Sequence, residues 1–287
     1  MTTKSSDPDN GSAVPVFTGI DIGVIGIAGT RKRPSTHGSD RSSWSAMEDY
    51  ADLIGDRTPL RALRLPLSRS DPHSVAARIS ALPSRVSAVF VVGLGRGDAA
   101  TVKRAVVEHG GPLVITELDV VTAALAAAAL TTLRSLGIAP GRGRVVIAGP
   151  ESAPDLGPAL VGSGVAMITN WHDRDAQGYS LQRLTDTNDV LVDLRGNTSD
   201  AKGSGRTLLY PAEPFVYGGL VLPGILSAVC GHGVGNLTVD MLAAAARAIA
   251  LVNPAERVLP ALNEPLLVQA VARHVATVLD EKAVESP

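Results

Sequence analysis

Short, fully apolar runs that close on glycine and give way to helical sequence recur along this chain, and they constrain its fold more than any other feature. "SAVFVVGLGRGDAAT" covers 87–101 and continues into "VKRAVVEHG"; "RVVIAG" at 144–149 continues towards "DLGPALVGSG". A run that is apolar at every position suits a strand covered on both faces, and the helical sequence behind it supplies the cover. Strands alternating with helices define an α/β protein with mostly parallel sheets. Apolar residues make up 45% of the chain and aromatics only 3%, so the core must be built from Ala, Val, Leu and Ile. Small aliphatic side chains let helices lie close on parallel strands.

The same pattern places the remaining elements. Strand sequence is expected within 16–29, at 60–67, from Ala88 to Val92, from Leu113 to Ile115, at 144–149, in "VAMITNW" and at 189–196. Helices are expected at 46–56, after Asp71 as N-cap with Pro72 at the first helical position, after Asp98, and over a long Ala/Leu stretch ending near Gly137. Further helices follow Thr238, with Asp240 in the first turn, and occupy "EPLLVQAVARHVATVLDEKA". The polar stretch 30–45 reads as an exposed loop, and the glycine- and serine-rich 196–207 as a flexible one. Residues 1–14 read as a disordered tail.

Composition removes several classes of function. A formal charge of -2 provides no global basic field for nucleic acid or anionic lipid. No uninterrupted apolar run reaches the roughly 18 residues of a membrane span. Cys230 is the only cysteine, which excludes an internal disulfide and a cysteine zinc site and points to a reducing, cytoplasmic setting. Cys230 lies in an apolar run and reads as a small buried hydrophobe; His232, between glycines, reads as a loop histidine.

Two strand–turn–helix units invite comparison with a dinucleotide site. There, glycines make the tight turn, admit the pyrophosphate to the backbone and let the helix pack on the strand. In the first unit Gly93 and Gly95 take two of these places and Asp98 the third, where a carboxylate opposes a phosphate. In the second the places hold Gly149, Glu151 and Pro154. Glu151 brings a negative charge and Pro154 removes an N–H, so neither unit favours a dinucleotide.

The C-terminal third carries a family resemblance. "LVLPGILSAVCGHGVGNLTVDMLAAAARAIALV", with Pro223, Gly224, Thr238, Met241, the Ala243–Ala246 run and the later Pro260, resembles the end of the malic enzymes. "ITELDVVTAALAAAALTTLRSLG" resembles that family's Asp-Asp-Gln-x-Gly-Thr-Ala segment, with Thr122 and Ala123 in register. The similarity runs over about 45–283. It implies a two-lobed architecture: an α/β domain at 15–137 and a Rossmann-like domain with C-terminal helices at 138–287. It also implies dimers or larger assemblies.

Malic enzymes oxidise and decarboxylate malate with NAD or NADP and a divalent metal. In register, their metal-binding Glu and Asp fall on Gly95 and Arg96, and the third carboxylate on Leu118. Their catalytic lysine falls on Tyr50, and their dinucleotide glycines on Gly149, Glu151 and Pro154. The expectation is a chain without cofactor or metal. Three readings follow. In the first, the fold binds a small anionic ligand or a protein partner and is not an active malic enzyme. In the second, the old cleft is a cofactor-independent lyase, isomerase or hydrolase site. Arg96 would hold a small carboxylate there, with Tyr50, Glu117 and Asp119 as acid–base groups and Arg195 at a strand end nearby. The third, an active dinucleotide oxidoreductase, must overcome both altered turns.

Overall fold

The computed structural model describes residues 20–28, 42–68, 71–195, 206–232 and 234–285. The tail at 1–14, most of the loop at 30–45 and nearly all of the loop at 196–207 lie outside the described residues.

The N-terminal half forms one parallel sheet. Its strands are β1 (Asp21–Ile27), β2 (Arg61–Leu67), β3 (Val86–Val92) and β4 (Leu113–Thr116), in the order β2-β1-β3-β4. Every residue of β1 is buried, as a strand between helical layers requires. Three helices connect the strands: α1 (Ser43–Arg57), α2 (Pro72–Ser80) and α3 (Arg96–Glu108). Helix α1 starts earlier than the sequence suggested, because the Ser42 hydroxyl caps it by accepting from the Ser45 amide at 3.1 Å. Helix α2 starts as expected: Asp71 Oδ1 accepts from Ser74 N at 3.0 Å and Pro72 follows it. Helix α3 differs. Gly95, not Asp98, is its N-cap, and Asp98 lies inside the first turn.

The second sheet is also parallel. Its strands are β5 (Arg144–Ala148), β6 (Met167–Trp171), β7 (Val190–Asp193) and β8 (Thr207–Leu209), in the order β6-β5-β7-β8. Between the sheets runs α4 (Glu117–Ser135), buried continuously from Asp119 to Leu133. By length and composition this helix could cross a membrane, but 83% of its apolar window is buried inside the fold. Its apolar surface is the centre of the core.

The helix α5 (Leu156–Gly162) was legible in the sequence; α6 (Leu181–Thr187) and β8 were not. Three C-terminal helices complete the packing: α7 (Pro214–His232), α8 (Val239–Val252) and α9 (Leu267–Glu285). Helix α7 carries Pro223 in its interior. Proline normally ends a helix by removing an N–H and crowding the preceding turn. Burial overrides that here, for Leu220, Val221, Leu222, Ile225 and Leu226 are all within 2% of full burial. A Cβ at Gly224 would stand 2.5 Å from Val271 Cβ, so the glycine sets how closely α7 and α9 approach. His232 ends this helix rather than lying in a loop; its Nδ1 is 2.8 Å from the Ala228 carbonyl and its Nε2 3.3 Å from Asp280 Oδ1. One continuous hydrophobic core takes in β1, β3, β5 and β7 together with α4, α7, α8 and α9.

Candidate functional site

Parallel α/β sheets bind ligands beyond the carboxyl ends of their strands. Tyr50 reaches this region of the first sheet from the inner face of α1 and is fully buried. Its ring meets Phe90 of β3 edge-on with centroids 4.5 Å apart, and Phe215 of α7 at 4.9 Å. A Cβ on Gly218 would lie 2.4 Å from Tyr50 Oη, so only glycine fits there. Among the described residues, no group meets the buried Oη with good hydrogen-bond geometry. Burial holds the phenol well above its ordinary pKa, and the Glu117 carboxyl, followed by Tyr210, pushes it further. Glu117 acts on the phenol through its charge and, more weakly, as a hydrogen-bond acceptor of poor geometry. Glu117 follows β4 and Tyr210 follows β8, so groups from the carboxyl ends of both sheets bear on the phenol. Held neutral and sealed from solvent, Tyr50 is a weak proton donor and not a base.

Asp119 faces a different way. It is the third residue of α4, and its Oδ2 accepts from the Thr116 amide at 2.7 Å and the Thr116 hydroxyl at 2.8 Å. Its Oδ1 pairs with Lys103 of α3. The carboxylate thus caps one helix and ties it to another. Arg96 opens α3, and its side chain lies outside the described residues. Leu118, at the third metal position implied by the resemblance, packs against the hydrophobic core. Among the described residues, no three His, Cys, Asp or Glu side chains gather closely enough to hold a metal.

Arg195 belongs to the carboxyl edge of the second sheet. Asp193 closes β7, and residues two apart on an extended chain project to one side. Arg195 N and Nε both donate to Asp193 Oδ1, at 3.0 and 2.9 Å, while Nη2 donates to Oδ2 at 2.8 Å. Nη1 reaches Asp173 Oδ1 at 3.4 Å, and the guanidinium lies 4.8 Å over the Trp171 ring. The hydrogen bonds to Asp193 raise the arginine's pKa further, so its charge is permanent.

This arginine lies across the turn after β5. Gly149 adopts φ 72°, and a Cβ on it would stand 2.9 Å from Arg195 Cγ and 3.6 Å from Glu151 Oε1. Glu151 Oε2 is 3.2 Å from His172 Nδ1. Pro154 precedes Asp155, the N-cap of α5. The structure therefore brings Tyr50 and Glu117 together in one place, and Gly149, Glu151 and Arg195 in another, and it sets Asp119 apart from both. Asp193 and Trp171 were not singled out from sequence. The Asp-Leu-Arg spacing was a usable signal for Asp193, whereas the stacking on Trp171 depends on how β6 and β7 flank β5.

The two parallel sheets bridged by a buried helix define an α/β fold of the malic-enzyme type. A malic enzyme from Entamoeba histolytica superposes with a TM-score of 0.70 at 15% identity, covering 92% of this chain and 70% of that one. A malic enzyme from Pyrococcus horikoshii gives 0.69 at 14%, covering 92% and 77%. An NAD-dependent malic enzyme from Thermotoga maritima gives 0.68 at 13%, covering 89% and 84%. No family model and no curated protein matches the sequence.

Proposed function

We propose that this chain uses the malic-enzyme fold without oxidative decarboxylation of malate and acts by binding a small anionic ligand or a protein partner. The observation that carries this reading is the Arg195 side chain lying over Gly149. A dinucleotide turn needs bare backbone where the pyrophosphate docks. Here an aliphatic arginine stem and the Glu151 carboxylate occupy that space, and Asp193 anchors the guanidinium. The guanidinium offers no free positive charge to a phosphate, because Asp193 and Asp173 both neutralise it. These residues do not fit NAD or NADP. The positions matching the family's metal ligands carry Gly95, Arg96 and Leu118, which do not fit a divalent cation.

Thermal-shift titration with NAD, NADP, malate and Mn²⁺ tests the reading, since a ligand at about 100 times its Kd stabilises a fold by about 2.7 kcal/mol. No response to either dinucleotide and no malate turnover are expected. Saturable dinucleotide binding with metal-dependent turnover would overturn it. One observation favours a second reading, that of a cofactor-independent enzyme acting on a small carboxylate: the Glu117 carboxyl beside the neutral Tyr50 phenol is an acid–base pair in the making. Full burial of Tyr50 weighs against its touching a substrate.

A further inference from the structure

Far from the Arg195 edge, a cavity of about 520 Å³ opens between the C-terminal end of α4, the turn before β5, and α8. Its volume lies in the range of small-molecule sites, about 300–1,000 Å³. Leu130, Ile138, Ala250 and Leu251 supply apolar walls, and Arg134 and Arg247 stand at the rim. Leu251 is 69% exposed, a large aliphatic side chain left uncovered beside a concave surface.

Both arginines are held by backbone oxygens. Arg134 donates from Nη1 to the Ala250 carbonyl at 2.6 Å and from Nη2 to the Asn253 carbonyl at 2.9 Å. Arg247 donates from Nη1 to the Gly162 carbonyl. All three acceptors are backbone oxygens at helix C-termini, which orient each guanidinium and offset only part of its charge. Among the described residues no carboxylate pairs with either arginine, in contrast to Arg64, Arg85 and Arg195. A guanidinium has five N–H donors, so both retain free ones. Two oriented positive charges without a carboxylate partner among the described residues, beside an apolar hollow, define their complement: an anion with an apolar body.

We infer that this cavity binds a medium-chain monocarboxylate, its hydrocarbon against Leu130, Ile138 and Leu251 and its carboxylate between Arg134 and Arg247. This names the ligand for the binding reading above, and rests on it. The adjoining hollow along the same turn, lined by Arg142, Arg144 and Asp189, adds further basic groups on this side.

The test is calorimetric titration of the full chain with octanoate, octanol and acetate. Octanoate is expected to bind saturably, and octanol and acetate at least about tenfold more weakly, since each lacks one half of the recognition. Arg247→Gln should weaken octanoate by about tenfold, the usual effect of losing a charged hydrogen bond. Ala139→Trp fills the mouth of the cavity from an exposed position, leaves both arginine caps in place, and should abolish binding with the unliganded Tm unchanged. Octanol binding as tightly as octanoate, an unaltered octanoate affinity in Ala139→Trp, or no octanoate binding by the wild type would each overturn the assignment. Malate turnover, read separately, would sink the proposed function without altering the octanoate titration.

Discussion

Replacing Tyr50 with Phe should stabilise this protein. The hydroxyl is fully buried, and among the described residues no group, Glu117 included, meets it with good hydrogen-bond geometry. An unbonded buried hydroxyl costs about 1–3 kcal/mol. Removing one oxygen from against Gly218 leaves a small void worth roughly 0.4 kcal/mol in the other direction. The net gain is about 1–2 kcal/mol. For 287 residues the entropy of unfolding is roughly 0.6 kcal/mol per degree, so Tm should rise by about 2–3 °C in scanning calorimetry. The pH dependence follows with its sign. The folded pKa of Tyr50 lies above its ordinary 10.0, so stability is intact below pH 10 and declines as pH rises beyond it, when the unfolded chain ionises and the fold does not. Tyr50→Phe should flatten that alkaline decline. A fall in Tm would refute the reasoning: it would mean that the hydroxyl is hydrogen-bonded, with Glu117 the neighbouring acceptor. A double-mutant cycle with Glu117→Gln would then measure the pair, and the enzymatic reading would gain ground.

Asp119→Ala removes a helix cap and its bond to Lys103, and should cost about 1–3 kcal/mol in urea denaturation; an unchanged midpoint would return Asp119 to the list of acid–base candidates. Gly224→Ala pushes a methyl to within 2.5 Å of Val271 Cβ and should cost about 1–3 kcal/mol, with Val271→Ala restoring part of it. If Gly224→Ala melts like the wild type, α7 and α9 are not in tight contact. Burial pushes the Cys230 thiol up to about 11 from 9.0, so iodoacetamide at pH 8 should alkylate the native protein roughly a hundredfold more slowly than the urea-unfolded chain. Equal rates would show the thiol to be open. Arg195→Ala strands the buried Asp193 carboxylate and should destabilise by about 2–4 kcal/mol; a loss under about 0.5 kcal/mol would mean the pair is not desolvated.

What the sequence determined here is local and periodic. The apolar runs at β3 and β5 need cover on both faces, and the helical sequence behind each provides it, so the alternation and parallel strands were legible without coordinates. The Asp71–Pro72 helix start was legible for the same reason, because capping joins residues three apart. Helix α7 was hidden by Pro223, whose local penalty is outweighed by burial against α4 and α9 that no local pattern encodes. The cap of α3 fell on Gly95, which makes no side-chain cap bond, with Asp98 inside the first turn. At the candidate sites the residue names were readable and their roles were not. Tyr50 and Glu117 are 67 positions apart, and only tertiary packing makes them neighbours. Arg195 read as an open strand-end arginine. Tertiary packing turned it inward, because Asp193 is buried beneath it and Trp171 of β6 lies alongside. Sequence sets which groups are available; the order of strands in the sheet decides which charges cancel, as those of Arg195 and Asp193 do beside Gly149.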